Sequence, residues 1–260
     1  MTLWVGTSGW RYADWRGRFY PPGLPPGRWL ERHAAAFATV EVNAAFYRLP
    51  ARATFESWVA RTPPDEVMAV KASRYLTHVR RLRDPAEPVA RLLERARGLG
   101  GRLGPVLLQL SPTLRCDPAA LDATLACFPP TVRVAVEPRH DSWWAPPVRE
   151  VLAARGAALC WADRHGDPLS PLWRTTRWGY VRLHEGDGQP WPSYDAATLR
   201  CWVDRIRAAY DDGEDVFVYT NNDLGGAALR DAVRLADLAR ALGRTVSRTP
   251  ALAAVSGAPR

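Results

Sequence analysis

Eight short apolar runs, helical patterns between most of them and polar residues at nearly every run's carboxyl end predict an α/β chain folded as a single TIM-type (β/α)8 barrel. The runs cover 3–6, 39–43, 67–72, 105–110, 133–137, 157–162, 179–184 and 215–221, and are rich in Val, Ile, Leu and Ala. Parallel strands buried on both faces read this way, and starts about 22 to 38 residues apart leave room for a helix and two loops. A chain of 260 residues suffices for one barrel.

The connections follow in order. Residues 26–37 set Trp29, Leu30, His33 and Phe37 on one helical face, and 54–61 open with a Thr able to cap a helix. Helices are also expected over 87–97, over 117–128 behind Asp-Pro, and over 147–155, ending before Gly156. Residues 163–178 hold three Gly or Pro and no clear period, so this crossover helix is expected to be short or missing. The clearest helices are 195–210 and 226–242, the latter stopped by Gly243. The barrel then spans 1–246, and the Ala-, Pro- and Ser-rich 247–260 is expected to be a loose, disordered tail.

Composition narrows the function. A net charge of +8 favours an anionic ligand, yet basic and acidic residues are interspersed, and the Arg80, Arg81 and Arg83 cluster is too short for a nucleic-acid-binding arm. Cys116, Cys127, Cys160 and Cys201 form no Cys-x-x-Cys pair, which argues against structural zinc. The opening lacks a leader pattern and no apolar stretch is long enough to span a bilayer, so a cytoplasmic protein with no membrane partner is expected. Neither a dinucleotide fingerprint nor a P-loop occurs, and no cofactor is expected except, in one reading, a divalent metal.

In such barrels the carboxyl ends of the strands hold the chemistry. Here those ends carry Thr7 and Ser8, Glu41 and Asn43, Lys71, Gln109, Glu137 with Arg139 and His140, Asp163, Arg182 and His184, and Asn221 and Asn222. Charges placed there for stability alone would be costly, so they must pair with each other or with a ligand. Lys71 is the only lysine among 35 basic residues, and a compact ammonium differs from a guanidinium in shifting its pKa readily when buried.

Glu41 and Glu137 are three strands apart and face each other across the mouth, a placement suited to acid/base work as in glycoside hydrolysis. With Asp163, His184 or Asn221 they would instead make an oxygen-rich divalent-metal site. A third arrangement is a structural network in which Glu41 pairs with Lys71, and Glu137 with Arg139 or Arg182. His78 lies in a loop expected to close over the mouth, His33 is expected to pack on the first helix, and His165 has no obvious partner. Trp10, Trp15, Trp143, Trp144, Trp173, Trp178 and Trp191 fall in loops, where rings stack on sugars or bases, or pack loops against the rim.

Several stretches also match a known pattern. These are Gly6-Thr7-Ser8-Gly9-Trp10, Val40-Glu41-Val42-Asn43 with Phe46-Tyr47-Arg48-Leu49-Pro50, and Val70-Lys71-Ala72 with Thr77-His78. Gln109-Leu110, Glu137-Pro138-Arg139-His140, Arg182-Leu183-His184 and Asn221-Asn222 continue it. Together they resemble the YecE-like family, catalogued as domain of unknown function 72, over essentially the whole barrel. The resemblance implies a barrel distantly similar to the xylose isomerase and endonuclease IV group, with Glu41, Asn43, Lys71, His78, Glu137, Arg139, His184 and Asn222 in a shared site, and implies no reaction. Thr220 and Glu185 depart from the residues common in that family.

The leading expectation is therefore an enzyme of hydrolase or lyase type acting on an anionic, sugar-containing ligand such as a nucleotide, phosphosugar or nucleic acid. Lys71, Glu41 and Glu137 would be catalytic. Ser8, Asn43, His78, Gln109, Arg139, Arg182, His184, Asn221 and Asn222 would bind substrate. A metal-dependent nuclease or isomerase using Glu41, Glu137, Asp163 and His184, and a non-catalytic nucleic-acid or protein binder, are the alternatives.

Overall fold

The structure is a computed structural model that describes residues 2–256. All eight expected runs are strands: β1 Leu3–Thr7, β2 Thr39–Val42, β3 Val67–Lys71, β4 Leu103–Gln109, β5 Val134–Glu137, β6 Ala158–Arg164, β7 Gly179–Leu183 and β8 Val216–Thr220. Each pairs in parallel with the next, β8 pairs with β1, and the ring closes, a TIM-type barrel. A two-residue arm, Asp167–Pro168, folds back antiparallel on β6. β1 and β2 come so near that a Cβ on Gly6 would lie 2.2 Å from the Thr39 carbonyl oxygen, so only glycine fits there.

Helices α1 Trp29–Ala36, α3 Arg52–Ala60, α4 Ala86–Ala96, α5 Pro118–Ala126, α6 Pro146–Ala154, α7 Ala196–Ala209 and α8 Ala227–Ala241 surround the ring, and a single turn, α2 Ala44–Tyr47, follows β2. Asp117 and Asp195 cap α5 and α7, accepting from Ala120 N at 2.9 Å and Thr198 N at 2.7 Å. α3 starts before Thr54: the backbone is extended at Ala51, just after Pro50, and turns helical at once without a side-chain cap. No helix joins β6 to β7. There the chain runs along the outside of β6, where Thr175 Oγ1 accepts from Leu159 N at 3.0 Å and donates to Ala157 O at 2.7 Å.

The expected tail is packed as far as Val255, which is fully buried. Ser247 N donates to Leu3 O at 2.9 Å, and Arg248 pairs with Asp65 at 3.0 Å. Composition does not reveal such through-space pairing; residues 257–260 lie outside the described part.

Side-chain alternation along the strands sorts the core in two. Met68, Val70, Val106, Leu108, Val134, Val136, Val181 and Val218 pack outward against the helices. Ala69, Leu107, Ala135, Ala158, Cys160, Tyr180, Phe217 and Tyr219 fill the barrel. Continuing the inner series by two residues reaches Lys71, Gln109, Glu137, Arg182 and Asn221, which puts them at the carboxyl mouth. Among the described residues no helix is long and apolar enough to cross a membrane.

Candidate active site

Arg182 is the centre of the mouth and is 1% exposed. One terminal nitrogen donates to Glu137 Oε2 at 2.7 Å; the other donates to Glu41 Oε1 at 2.8 Å and Ser8 Oγ at 3.1 Å. Glu41 also accepts from Ser8 Oγ, and from Tyr180 OH at 2.6 Å. Asn43 Nδ2 donates to Ser8 Oγ at 2.8 Å. On the other side Glu137 accepts from Gln109 Nε2 at 3.0 Å and pairs with Arg139 at 2.5 Å and His184 Nε2 at 2.9 Å.

Asn221 Nδ2 lies 3.0 Å from His184 Nδ1, while His184 Nε2 lies between Glu137 Oε1 at 2.9 Å and the Arg139 guanidinium at 2.7 Å. Burial pushes the His184 pKa down to about 4 against the pull of Glu137, which leaves the ring neutral near pH 7.

Both carboxylates are fully buried and both are charged. Burial alone would raise the Glu41 pKa, but Arg182, then Lys71, hold it below the usual range. For Glu137 the same opposition, with Arg182 leading and Arg139 and His184 adding, leaves it well below. This corrects the pairing of Glu41 with Lys71: the partner is Arg182, because β7 sends a planar fork between the two carboxylates that a single ammonium could not span.

Lys71 accordingly makes no hydrogen bond or ion pair among the described residues. Its Nζ lies 4.2 Å above the Phe46 ring, and burial, reinforced by Arg182, pushes its pKa down to about 8. Phe46 also meets the His78 ring edge-on at 5.1 Å. His78 stands on a π-helical turn, Tyr75–Val79, a rare geometry that gathers at functional sites. Three cations against two carboxylates leave one positive charge in excess, that of Lys71.

Other expected residues fall elsewhere. Asp163 points to the outer face of β6, where its carboxylate takes His184 N, Tyr194 OH and Gly166 N. Asn222 donates to Asp231 and to the Pro192 carbonyl, in the layer outside the ring. No three His, Cys, Asp or Glu side chains among the described residues are grouped to hold a metal ion. His33 is buried and bonded to Thr7, as expected of a packing residue, while His165 has a partner after all in Asp187 at 2.7 Å. Most loop tryptophans pack: Trp15 and Trp143 are fully buried, and Trp191 is exposed. Sequence reasoning passed over Tyr180, although it is the inward residue two before Arg182, and Tyr12 and Asp223 in the rim.

Three comparisons bear on identity. UPF0759 protein YunF of Bacillus subtilis (strain 168) is 24% identical over 268 residues, covering 91% of this chain and 94% of its own length. A DUF72 family protein (TM1631) from Thermotoga maritima MSB8 superposes with a TM-score of 0.78 at 26% identity, over 94% of this chain and all of that one. A xylose isomerase-like TIM barrel/4-hydroxyphenylpyruvate dioxygenase fusion protein shares the fold alone, with a TM-score of 0.52 at 14% identity over 93% of this chain and 44% of its own. The family described as protein of unknown function DUF72 matches residues 4–254, and this chain belongs to it.

Proposed function

We propose that the mouth is the active site of an enzyme acting on a small anionic, sugar-containing ligand, with Lys71 as its acid/base group. The carrying observation is that a nearly buried Lys71 has no hydrogen-bond or ion-pair partner among the described residues, although two ionised carboxylates share the same mouth. A buried charge kept for stability is paired. An unpaired one is available to a ligand.

Lys71 divides between ammonium and amine just above neutrality. The ammonium attracts an anion, and the amine takes a proton from a bound reactant and returns it to a leaving group, as a hydrolase or lyase requires. Arg139, His78, His184 and Asn221 are placed to bind and orient. Glu41 and Glu137, with Ser8, Asn43 and Gln109, hold Arg182 and supply fixed charge instead of exchanging protons.

Because the chain has one lysine, reductive methylation with ¹³C-formaldehyde labels only Lys71 and the amino terminus. The Lys71 signal is expected to titrate near 8 and to shift with millimolar inorganic phosphate. Sugar phosphates and nucleotides are then assayed for turnover, with Lys71→Met inactive. Titration near the ordinary 10.5 with no response to phosphate would remove the reading. Borohydride trapping of a substrate adduct on Lys71 would narrow the chemistry to an imine.

A further inference from the structure

Two clefts differ in chemistry, one bordered by Arg139 and the other by its neighbour His184. One, of about 400 Å³, is lined by His78, Gln109, Trp144 and two arginines, Arg139 and Arg164, against one carboxylate, Asp141. The second, of about 500 Å³, has Tyr12, Asp14, Asn221, Asn222 and Asp223 on its walls and is rich in hydrogen-bond acceptors.

Two of those acceptors are buried without a donor. Asn222 is 2% exposed, and its Nδ2 donates to both Pro192 O and Asp231 Oδ2 at 2.7 Å. That sets the orientation of the amide and leaves Oδ1 unpartnered. Asp223 Oδ1, on the next residue, is likewise buried without a hydrogen-bond partner, the nearby Tyr12 hydroxyl donating to the Ser8 carbonyl. Buried acceptors are ordinarily satisfied, so two adjacent exceptions on one cleft wall call for donors from a ligand.

The cleft wall also carries an apolar side chain, Leu224, which is 60% exposed. Carbon faces of sugar rings pack on such side chains.

We propose that this second cleft is a hydroxyl-binding subsite for the polyhydroxyl part of the ligand, with Asn222 Oδ1 and Asp223 accepting its hydroxyls and Leu224 meeting its carbon face. Burial, opposed by Tyr12 and Arg182, moves the Asp223 pKa up to about 7, so both forms exist at neutral pH. A carboxyl that accepts and donates matches a hydroxyl, which does both. The anionic end of the ligand then reaches past His184 towards Arg139 and Lys71, and that assignment alone rests on the function proposed above.

Calorimetric titration of the full chain tests this with D-ribose, D-glucose, their terminal monophosphates and inorganic phosphate. The sugar phosphates are expected to bind roughly tenfold more tightly than phosphate, and Asp223→Leu is expected to erase most of that ratio. Should Asp223→Leu fail to fold, Asp223→Asn takes its place. Free-sugar binding that disappears in the variant upholds the subsite even where phosphate does not bind, and then only the Lys71 reading falls. No Asp223-dependent advantage for any sugar-bearing probe overturns the subsite.

Discussion

At the mouth Glu41 and Glu137 are fully buried yet charged, while at the amino-terminal end of β3 Glu66 is 1% exposed and neither of its oxygens has a hydrogen-bond partner. Burial pushes Glu66 up to about 9, and Arg248, which opposes this, forms its ion pair with Asp65 and donates to the Phe37 carbonyl instead. Equal burial thus yields opposite protonation, and the arginine decides. The mouth keeps its charges at the cost of an extended network. The base keeps a neutral acid.

The contrast breaks most severely if Arg182 is removed. Arg182→Met takes from buried Glu41 its ion pair and leaves buried Glu137 with Arg139 alone, each break of this kind costing about 3–5 kcal/mol. Denaturant unfolding at pH 7 is expected to show no stable native state, with recovery in the triple variant that also carries Glu41→Gln and Glu137→Gln. Failure of that recovery would mean Arg182 acts through packing and not through charge.

Next comes Glu137→Gln, expected to destabilise by about 3 kcal/mol because Arg182 and Arg139 lose a shared anion. The Glu137 pKa is depressed in the fold, so its stabilisation is present above the ordinary 4.5 and lost as pH falls below that value. Urea midpoints between pH 3 and 7 should therefore fall more steeply for the parent than for the variant.

At the base the sign reverses. The raised Glu66 pKa means the fold retains a proton that the unfolded chain releases, so its contribution is present below 4.5 and is lost as pH rises towards about 9. Glu66→Gln should add on the order of 3 kcal/mol at pH 7 and flatten the parent's decline between pH 5 and 9. A destabilised variant would show that a hydrogen bond to Glu66 matters after all.

The smallest effect on stability belongs to Lys71→Met. With no ion pair to break, the change is expected to stay within about 1 kcal/mol and to favour the variant, whereas response to phosphate disappears. A loss of several kcal/mol by thermal unfolding would place Lys71 in the structural network instead of the ligand's path.

Much of the fold was legible locally. Runs such as 67–72 and 105–110 announce parallel strands because both faces are buried, and the irregular 163–178 announces a crossover without a helix. The site was legible as a set of inward-facing polar residues, since carboxyl strand ends collect them in any such barrel. Tyr180 could have been read the same way, two residues before Arg182. Asp163 was misplaced because it takes the outer parity of β6, where Cys160 is inward. The burial of Asp223 without a partner for Oδ1 had no local signal at all.

By itself the sequence determined the ring of strands, the polar mouth and the singularity of Lys71, because periodicity and residue type are local properties of the chain. Only the tertiary structure decided which cation serves the two carboxylates. That choice depends on the reach and fork geometry of Arg182 across the ring, to residues 141 and 45 positions away, which spans both carboxylates and leaves Lys71 without an ion pair among the described residues.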